Sequence, residues 1–291
     1  MLKLQLKRYY KSHGTLIIFS ILAVWTGLNF YFIHLDKMEW TLLLGFADVS
    51  PYIHHLIDSY QNGIFWFERL VLTIQTSWLS IFWFIAQISF GVMLASHLHR
   101  NVEKNYGSLI ITRTSYNKYL NTTLLAQAIY ISSFILAFML LTFLLSIIII
   151  GGGFALPYGY LASVLYGRTI LGYIWGMFFP IILGILFIVP TILIASVCNF
   201  FLRNKYILAF LPFLAYVGVM FFGFLIGDIF FPAAAIAGNL VIDNAIAGYQ
   251  QSIVRGSGFY WPVFTYPIVA FITFIILYIL NKRKFNKEYL A

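Results

Sequence analysis

Long apolar stretches alternate with short polar, mostly basic segments along this chain. A bilayer core about 30 Å thick is crossed by about 20 helical residues, and six of the stretches are long enough to cross it. We therefore predict an all-α polytopic membrane protein. Its six transmembrane helices are predicted at 14–34, 76–98, 122–150, 170–197, 206–229 and 261–281.

The positions of the basic residues predict the orientation of these helices. Fourteen of the eighteen Lys and Arg residues fall in the segments 1–13, 99–121, 198–205 and 282–291. Loops rich in Lys and Arg remain on the cytoplasmic side of a membrane. This places both termini in the cytoplasm. Residues 1–291 are predicted to form a single transmembrane domain in the cell membrane. The amino-acid composition of the chain is typical of bacterial proteins.

Composition supports the same class of protein. Hydrophobic residues make up 62% of the chain and charged residues 9%, whereas soluble domains carry about 25% charged residues. The net charge of +9 follows from the basic cytoplasmic segments. It therefore does not indicate a nucleic-acid partner, and membrane lipid is an expected partner of the chain.

The first thirteen residues, 1–13, predict an amphipathic elbow helix at the membrane interface, ahead of the first span. At helical spacing one face is apolar and the opposite face basic, although Leu4 interrupts the basic face. The apolar face carries Leu2, Leu6, Tyr9 and Tyr10, and the basic face carries Lys3, Lys7, Arg8 and Lys11.

Three further apolar segments contain too many breaks to span the membrane. We predict that 40–75 forms amphipathic helices on the outer face and that 151–169, which begins with three glycines, is an outer loop. The segment 230–260, between the fifth and sixth spans, is also predicted to lie outside.

Small and charged residues inside the spans are candidates for packing and transport. Gly172 and Gly176 are four residues apart, as are Gly223 and Gly227, a spacing that lets membrane helices approach closely. Asp228 stands at the end of the predicted fifth span. It is read as a boundary residue or, more weakly, as part of a substrate path.

Enzyme signatures are missing from the sequence. The chain contains no Gly-Lys pair, so it has no P-loop for a nucleotide. It also contains no zinc-protease or serine-hydrolase motif. His54, His55 and Asp58 are too few for a closed metal site. The sequence therefore predicts no catalytic residue, metal or cofactor on this chain.

The most distinctive polar segment is the predicted cytoplasmic loop 99–121. Ser115 suits the N-cap of the third span, and Gly107 permits a bend. Leu109, Ile110 and Ile111 are apolar residues in a charged loop, which indicates that another protein docks there.

This loop resembles the coupling helix of type-2 ABC exporter permeases. Those proteins have an acidic residue after the second span, then a Gly-Ser/Thr-Leu step, then a basic residue. The matching residues here are Glu103, Gly107, Ser108, Leu109 and Arg113. Lys104 and Ile110 lie within the same segment. The elbow helix, the six spans and the short helices of 230–260 also resemble this family in outline.

The resemblance implies a half-transporter. Two permease chains, identical or related, would pair, and two copies of a separate ABC ATPase subunit, which carries ATP and Mg²⁺, would dock on the coupling loop. The apolar interior favours an amphipathic or lipophilic cargo such as a hydrophobic or antimicrobial peptide, a drug or a lipid.

Two other functions fit the same sequence. One is a membrane protein that senses or sequesters antimicrobial peptides without transporting them, giving immunity. The other is an embedded enzyme that modifies lipids, with His54, His55 and Asp58 as its candidate residues. An ATPase that copurifies with the chain would argue against the first, and mutation of His54, His55 and Asp58 would decide the second.

Overall fold

A computed structural model describes residues 1–44, 82–103, 115–151, 170–198, 205–230 and 264–289. Within these ranges the chain is almost entirely α-helical. Its helices are α1 (Leu2–Tyr10), α2 (His13–Leu44), α3 (Phe82–Glu103), α4 (Tyr116–Ile150), α5 (Ile170–Cys198), α6 (Lys205–Phe230) and α7 (Thr265–Tyr289).

A long helix occupies each of the six segments predicted to span, but several ends differ. α2 continues past the predicted end at 34 because 35–44 contains neither Gly nor Pro to stop it. α4 begins at Tyr116 instead of 122, and α7 continues past 281 to Tyr289. Apolarity marks only the part of a helix that suits lipid, while the backbone continues through polar residues that favour helix.

Four of the helices contain a segment long and apolar enough to cross a membrane. These segments are His13–Tyr31, Tyr116–Ile150, Ile181–Cys198 and Tyr266–Arg283, and α3 adds the shorter apolar segment Phe82–Leu94. The described part of the chain therefore agrees with a helical membrane protein. The number of spans and the side on which the termini lie stay predictions.

α5 is the central helix of the bundle. It packs against α3, α4, α6 and α7. In its apolar segment 72% of the residues are buried, against 22–28% in the other three segments. The surrounding helices α4, α6 and α7 each keep an apolar face exposed, as Ile148 and Ile149 of α4 show at 75% and 74% exposure. Such faces suit contact with hydrocarbon.

α2 and α3 run antiparallel against each other. At one end of the pair the rings of Trp25 and Phe82 lie 5.2 Å apart, and at the other Gly14 faces the Met93 side chain. α1 lies alongside α4 in the same direction, since Gln5 bonds to Thr123 and Tyr10 contacts Ser133.

α3 and α5 approach each other closely at Gly184. A Cβ added at Gly184 would lie only 2.1 Å from Cζ2 of Trp83. Trp83 is itself 1% exposed, so the indole has nowhere to move. Gly184 therefore provides the space that the indole ring fills.

Two residues predicted from the sequence define the ends of α4. The Ser115 side chain accepts a hydrogen bond from the backbone N–H of Lys118, which confirms it as the N-cap. The helix ends before Gly151, whose φ of 83° is one that glycine adopts readily. The N–H of Gly151 still donates to the carbonyl of Ile147 at 2.9 Å.

We predict that Gly184→Ala lowers the free energy of unfolding by about 1–3 kcal/mol, because the added methyl overlaps the Trp83 ring. Unfolding by SDS in mixed micelles would measure it. The matched control is Gly218→Ala in α6, where a Cβ meets nothing within 4 Å. That variant is expected to be neutral or slightly more stable, since alanine favours helix. Equal effects at the two positions would contradict this account.

Candidate functional site

The N-terminal helix and the end of α7 meet the beginning of α4. Gln5 Nε2 donates to Thr123 Oγ1 at 2.8 Å, and the Tyr116 hydroxyl donates to Asn281 Oδ1 at 2.6 Å. The first helix and the last helix therefore converge on the same end of the bundle. This is also the end from which the predicted coupling loop enters α4.

Asn281 joins three helices at this end. Its Oδ1 accepts from Tyr116 of α4, and its Nδ2 donates to the Val197 carbonyl of α5 at 3.2 Å. Asn281 is 2% exposed, so water competes little for these bonds. We call Tyr116, Asn281 and Val197 the α4–α5–α7 clamp.

Apolar packing continues inward from the clamp. Tyr116 and Val197 belong to a buried cluster with Leu120 and Leu124 of α4 and Leu193 of α5. The hydrogen bonds of the clamp are therefore shielded by side chains from both helices. Loss of one partner would leave a polar atom buried, which costs about 1–3 kcal/mol.

A second hydrogen bond joins α4 and α7 nearer the surface. The Tyr278 hydroxyl donates to Asn121 Oδ1 at 2.6 Å. Within α7, Lys282 Nζ lies 4.9 Å from the centre of the Tyr278 ring. Because the hydrogen bond is exposed, water can replace either partner. This hydrogen bond therefore stabilises the packing of α4 against α7 less than the clamp does.

The other side of the same end is the contact between α1 and the bundle. Tyr9 is 6% exposed, with its ring 5.5 Å from that of Tyr130 and 5.9 Å from that of His97. Burial raises the pKa of the Tyr9 hydroxyl far above its usual value. The nearby Gln127 amide offsets a little of this, although the pair falls short of a well-formed hydrogen bond. Tyr9 therefore stays neutral.

Thr15, in the first turn of α2, ties α1 to α4. Its hydroxyl donates to the Tyr9 carbonyl at 2.5 Å and lies 2.9 Å from the Tyr130 hydroxyl. The Tyr130 hydroxyl is also 3.7 Å from Met93 Sδ of α3. The turn between α1 and α2 is thus anchored to two other helices, and the elbow helix is held against the bundle.

Farther into the bundle one buried polar pair connects α3 to α5. Thr191 Oγ1 donates to Gln87 Oε1 at 2.8 Å, and both residues are 0% exposed. Hydrogen bonds of this kind between membrane helices contribute about 0.6 kcal/mol on average. The pair lies on the same two helices as Trp83 and Gly184.

The residues predicted to couple the chain to an ATPase are mostly outside the described part of the structure. Glu103 is the last residue of α3, so the segment that follows it starts directly from a helix. Six of the predicted residues lie outside the described ranges: Lys104, Gly107, Ser108, Leu109, Ile110 and Arg113. The sequence predicted this loop at 99–121, but α3 continues to Glu103 and α4 begins at Tyr116. Both ends of the predicted loop are therefore helical.

The predicted packing residues lie on the expected helices. Gly172 and Gly176 are in α5. Gly223, Gly227 and Asp228 are in α6, the last two within its final turn. The surroundings of these five residues are outside what the structure describes. Their roles in packing and in a substrate path stay predictions, as does any role of His54, His55 and Asp58, which also lie outside.

Sequence reasoning missed the residues that make the clearest contacts. Gly184 continues the four-residue spacing of Gly172 and Gly176 after one interruption at Pro180, so extending that spacing would have found it. Asn281 lies between an apolar run and a basic tail and looks like an ordinary boundary residue. No sequence signal distinguished it.

Hydroxyls, amides and aromatic rings make up the described contacts at this end of the bundle. Groups of this kind hold neighbouring helices in register. Comparison with protein families, with curated proteins and with solved structures found no match to this chain. Its function is therefore argued from its residues and geometry.

We predict that Asn281→Leu lowers the free energy of unfolding by about 2 kcal/mol, because the Tyr116 hydroxyl and the Val197 carbonyl lose their partner while buried. In a double-mutant cycle with Tyr116→Phe, a coupling of about 1 kcal/mol is expected. SDS-induced unfolding would measure both quantities.

The matched control for the clamp is Tyr278→Phe, which removes the exposed bond to Asn121. Its expected loss is about 0.5 kcal/mol or less, since water replaces the partner. Strictly additive effects of Asn281→Leu and Tyr116→Phe would show that the clamp does not act as a unit.

Proposed function

We propose that this chain is the transmembrane subunit of an ATP-driven ABC exporter, located in a bacterial cell membrane. Six spans would place both termini in the cytoplasm. Two such chains, identical or related, would pair, and two separate ATPase subunits carrying ATP and Mg²⁺ would bind the loop between α3 and α4. The loop's resemblance to a coupling helix, at Glu103, Gly107, Ser108, Leu109 and Arg113, supports the class.

The observation that carries the proposal is the convergence of helix ends at the start of α4. α1 bonds to α4 through Gln5 and Thr123, and α7 bonds to it through Asn281 and Tyr116. These helix ends adjoin the basic segments predicted to be cytoplasmic. A common end for all of them supports a chain with an even number of spans.

The clamp gives this proposal a mechanical route. Tyr116 is only one residue from the N-cap Ser115 and so follows directly on the coupling loop. Movement of that loop would pull on Tyr116, and through Asn281 on α7 and the Val197 end of α5. Rigid-body rocking of helices in this manner is one form of alternating access.

The buried polar residues bear on the cargo. Those of the described helices are all uncharged, being Asn29, Gln87, Thr123, Gln127, Thr142, Ser146, Thr191, Ser196 and Asn281. Carriers of ions or protons usually hold charged side chains between their helices. An uncharged interior supports an amphipathic or lipophilic cargo, such as a hydrophobic peptide, a drug or a lipid.

Topology can be tested by labelling single cysteines, because Cys198 is the chain's one cysteine and Cys198→Ser removes it. In that background we expect Lys3→Cys, Lys118→Cys and Arg283→Cys to react with a membrane-impermeant maleimide only after cells are permeabilised. Asp243→Cys, in the predicted outer loop, should react in intact cells and serves as the positive control. Labelling of Lys118→Cys from outside would exclude the proposed docking side.

Coupling can be tested in the copurified transporter reconstituted in nanodiscs. Glu103→Lys or Leu109→Asp is expected to reduce cargo-stimulated ATP hydrolysis at least about tenfold, as expected when a docked charge or apolar contact worth about 1.4 kcal/mol is lost. The matched control is Lys118→Glu, a charge reversal at an exposed position in the first turn of α4, which should retain stimulation. A folded Glu103→Lys variant with full stimulation, or a chain that never copurifies with an ATPase, would sink the proposal.

A further inference from the structure

An open cleft lies between the elbow helix and the neighbouring helices. Its volume is about 690 Å³, and α1, the first turn of α2 and His97 of α3 line it. On α1 the lining residues are Leu4, Lys7 and Arg8, and the C-cap Lys11 follows them. Their spacings of three and four residues place them on one face. The opposite face of α1, with Tyr9, packs against the bundle.

Positive charge dominates the cleft. Lys7, Arg8 and Lys11 line it together with His13 and His97, and none of the lining residues that the structure describes is acidic. The first acidic residue of the whole sequence is Asp36. The N-terminal end of α2 adds the partial positive charge of a helix start. The cleft therefore favours a compact anion.

The cleft also lies where an apolar segment of the chain begins. Ser12, His13 and Gly14 line it, and the apolar segment His13–Tyr31 begins there. A group bound between these residues and the basic face of α1 would sit at the depth where lipid headgroups lie. Arginine and lysine side chains at this depth attract anionic lipids.

Exposed apolar residues of α2 follow the cleft-lining residues along the chain. Leu16 and Ile17, one turn into α2, are 67% and 59% exposed, and Val24 farther along is 63% exposed. Leu4, which interrupts the basic face of α1 in the sequence, is 57% exposed and lines the cleft. Its position beside the cations gives an apolar contact next to the charged group.

From these features we infer that the cleft is a binding site for the phosphate-bearing headgroup of one anionic phospholipid. Lys7 and Lys11 contact the phosphate, and the acyl chains follow Leu4 and the exposed face of α2. Free phosphate shares the charge but not the apolar continuation. The apolar surface beside the cations therefore favours the lipid. The site does not require that the chain transport anything.

The test is lipid binding to the purified full-length chain, measured by native mass spectrometry after delipidation. Phosphatidylglycerol and phosphatidylcholine are titrated separately. We expect one phosphatidylglycerol to be retained in preference to phosphatidylcholine. Lys7→Gln/Lys11→Gln should weaken retention about 30-fold, the effect expected for two cations near a membrane surface.

The matched control is Lys3→Gln/Lys118→Gln, which removes the same charge from exposed positions that do not line the cleft. It should change retention less than about twofold, and all variants should unfold at the same SDS concentration as the wild type. Equal weakening in the two double variants would overturn the site in favour of general charge attraction. Unchanged retention in Lys7→Gln/Lys11→Gln would overturn it outright.

A competition arm separates the two sources of the anion. Inorganic phosphate or glycerol 3-phosphate, added in large excess, should not displace phosphatidylglycerol, and Leu4→Asn should weaken the lipid's retention. Displacement by inorganic phosphate, with no effect of Leu4→Asn, would show that the cleft binds free phosphate and would overturn the lipid assignment.

Discussion

Close packing around one central helix is the constraint on which the rest of this structure depends. In lipid the hydrophobic effect does not press helices together, so association relies on surface fit and on a few polar bonds. α5 meets four neighbours, and the Trp83 ring occupies the space that Gly184 leaves open. A larger residue at that position would separate α3 from α5 and, with them, the helices that pack on both.

Polar bonds supplement that fit at a few depths. Gln87 and Thr191 bond where α3 and α5 pack in the interior, whereas the bonds of Gln5, Tyr116 and Asn281 gather at the end where α4 begins. The interior is consequently held mainly by shape. The end that adjoins the basic segments is held by directional bonds as well.

The sequence anticipated the helices better than their contacts. Uncharged apolar runs located six long helices, and Ser115 and Gly151 marked the two ends of α4 through local backbone chemistry. The far end of α2 was missed because helix propensity, and not hydrophobicity, carries it to Leu44. Asn281 could not be identified, because its partners stand 84 and 165 residues away and only tertiary structure brings them together. Residues 104–114, which hold all the predicted coupling residues except Glu103, lie outside the described ranges.

The amide of Asn281 has a consequence for how this end of the protein can yield. One planar group accepts from Tyr116 through its oxygen and donates to Val197 through its nitrogen. Rotation about the bond that carries the amide misaligns both hydrogen bonds together, so α7 loses its polar ties to α4 and to α5 in the same event. The apolar packing of α5 against α7 does not depend on that amide and remains.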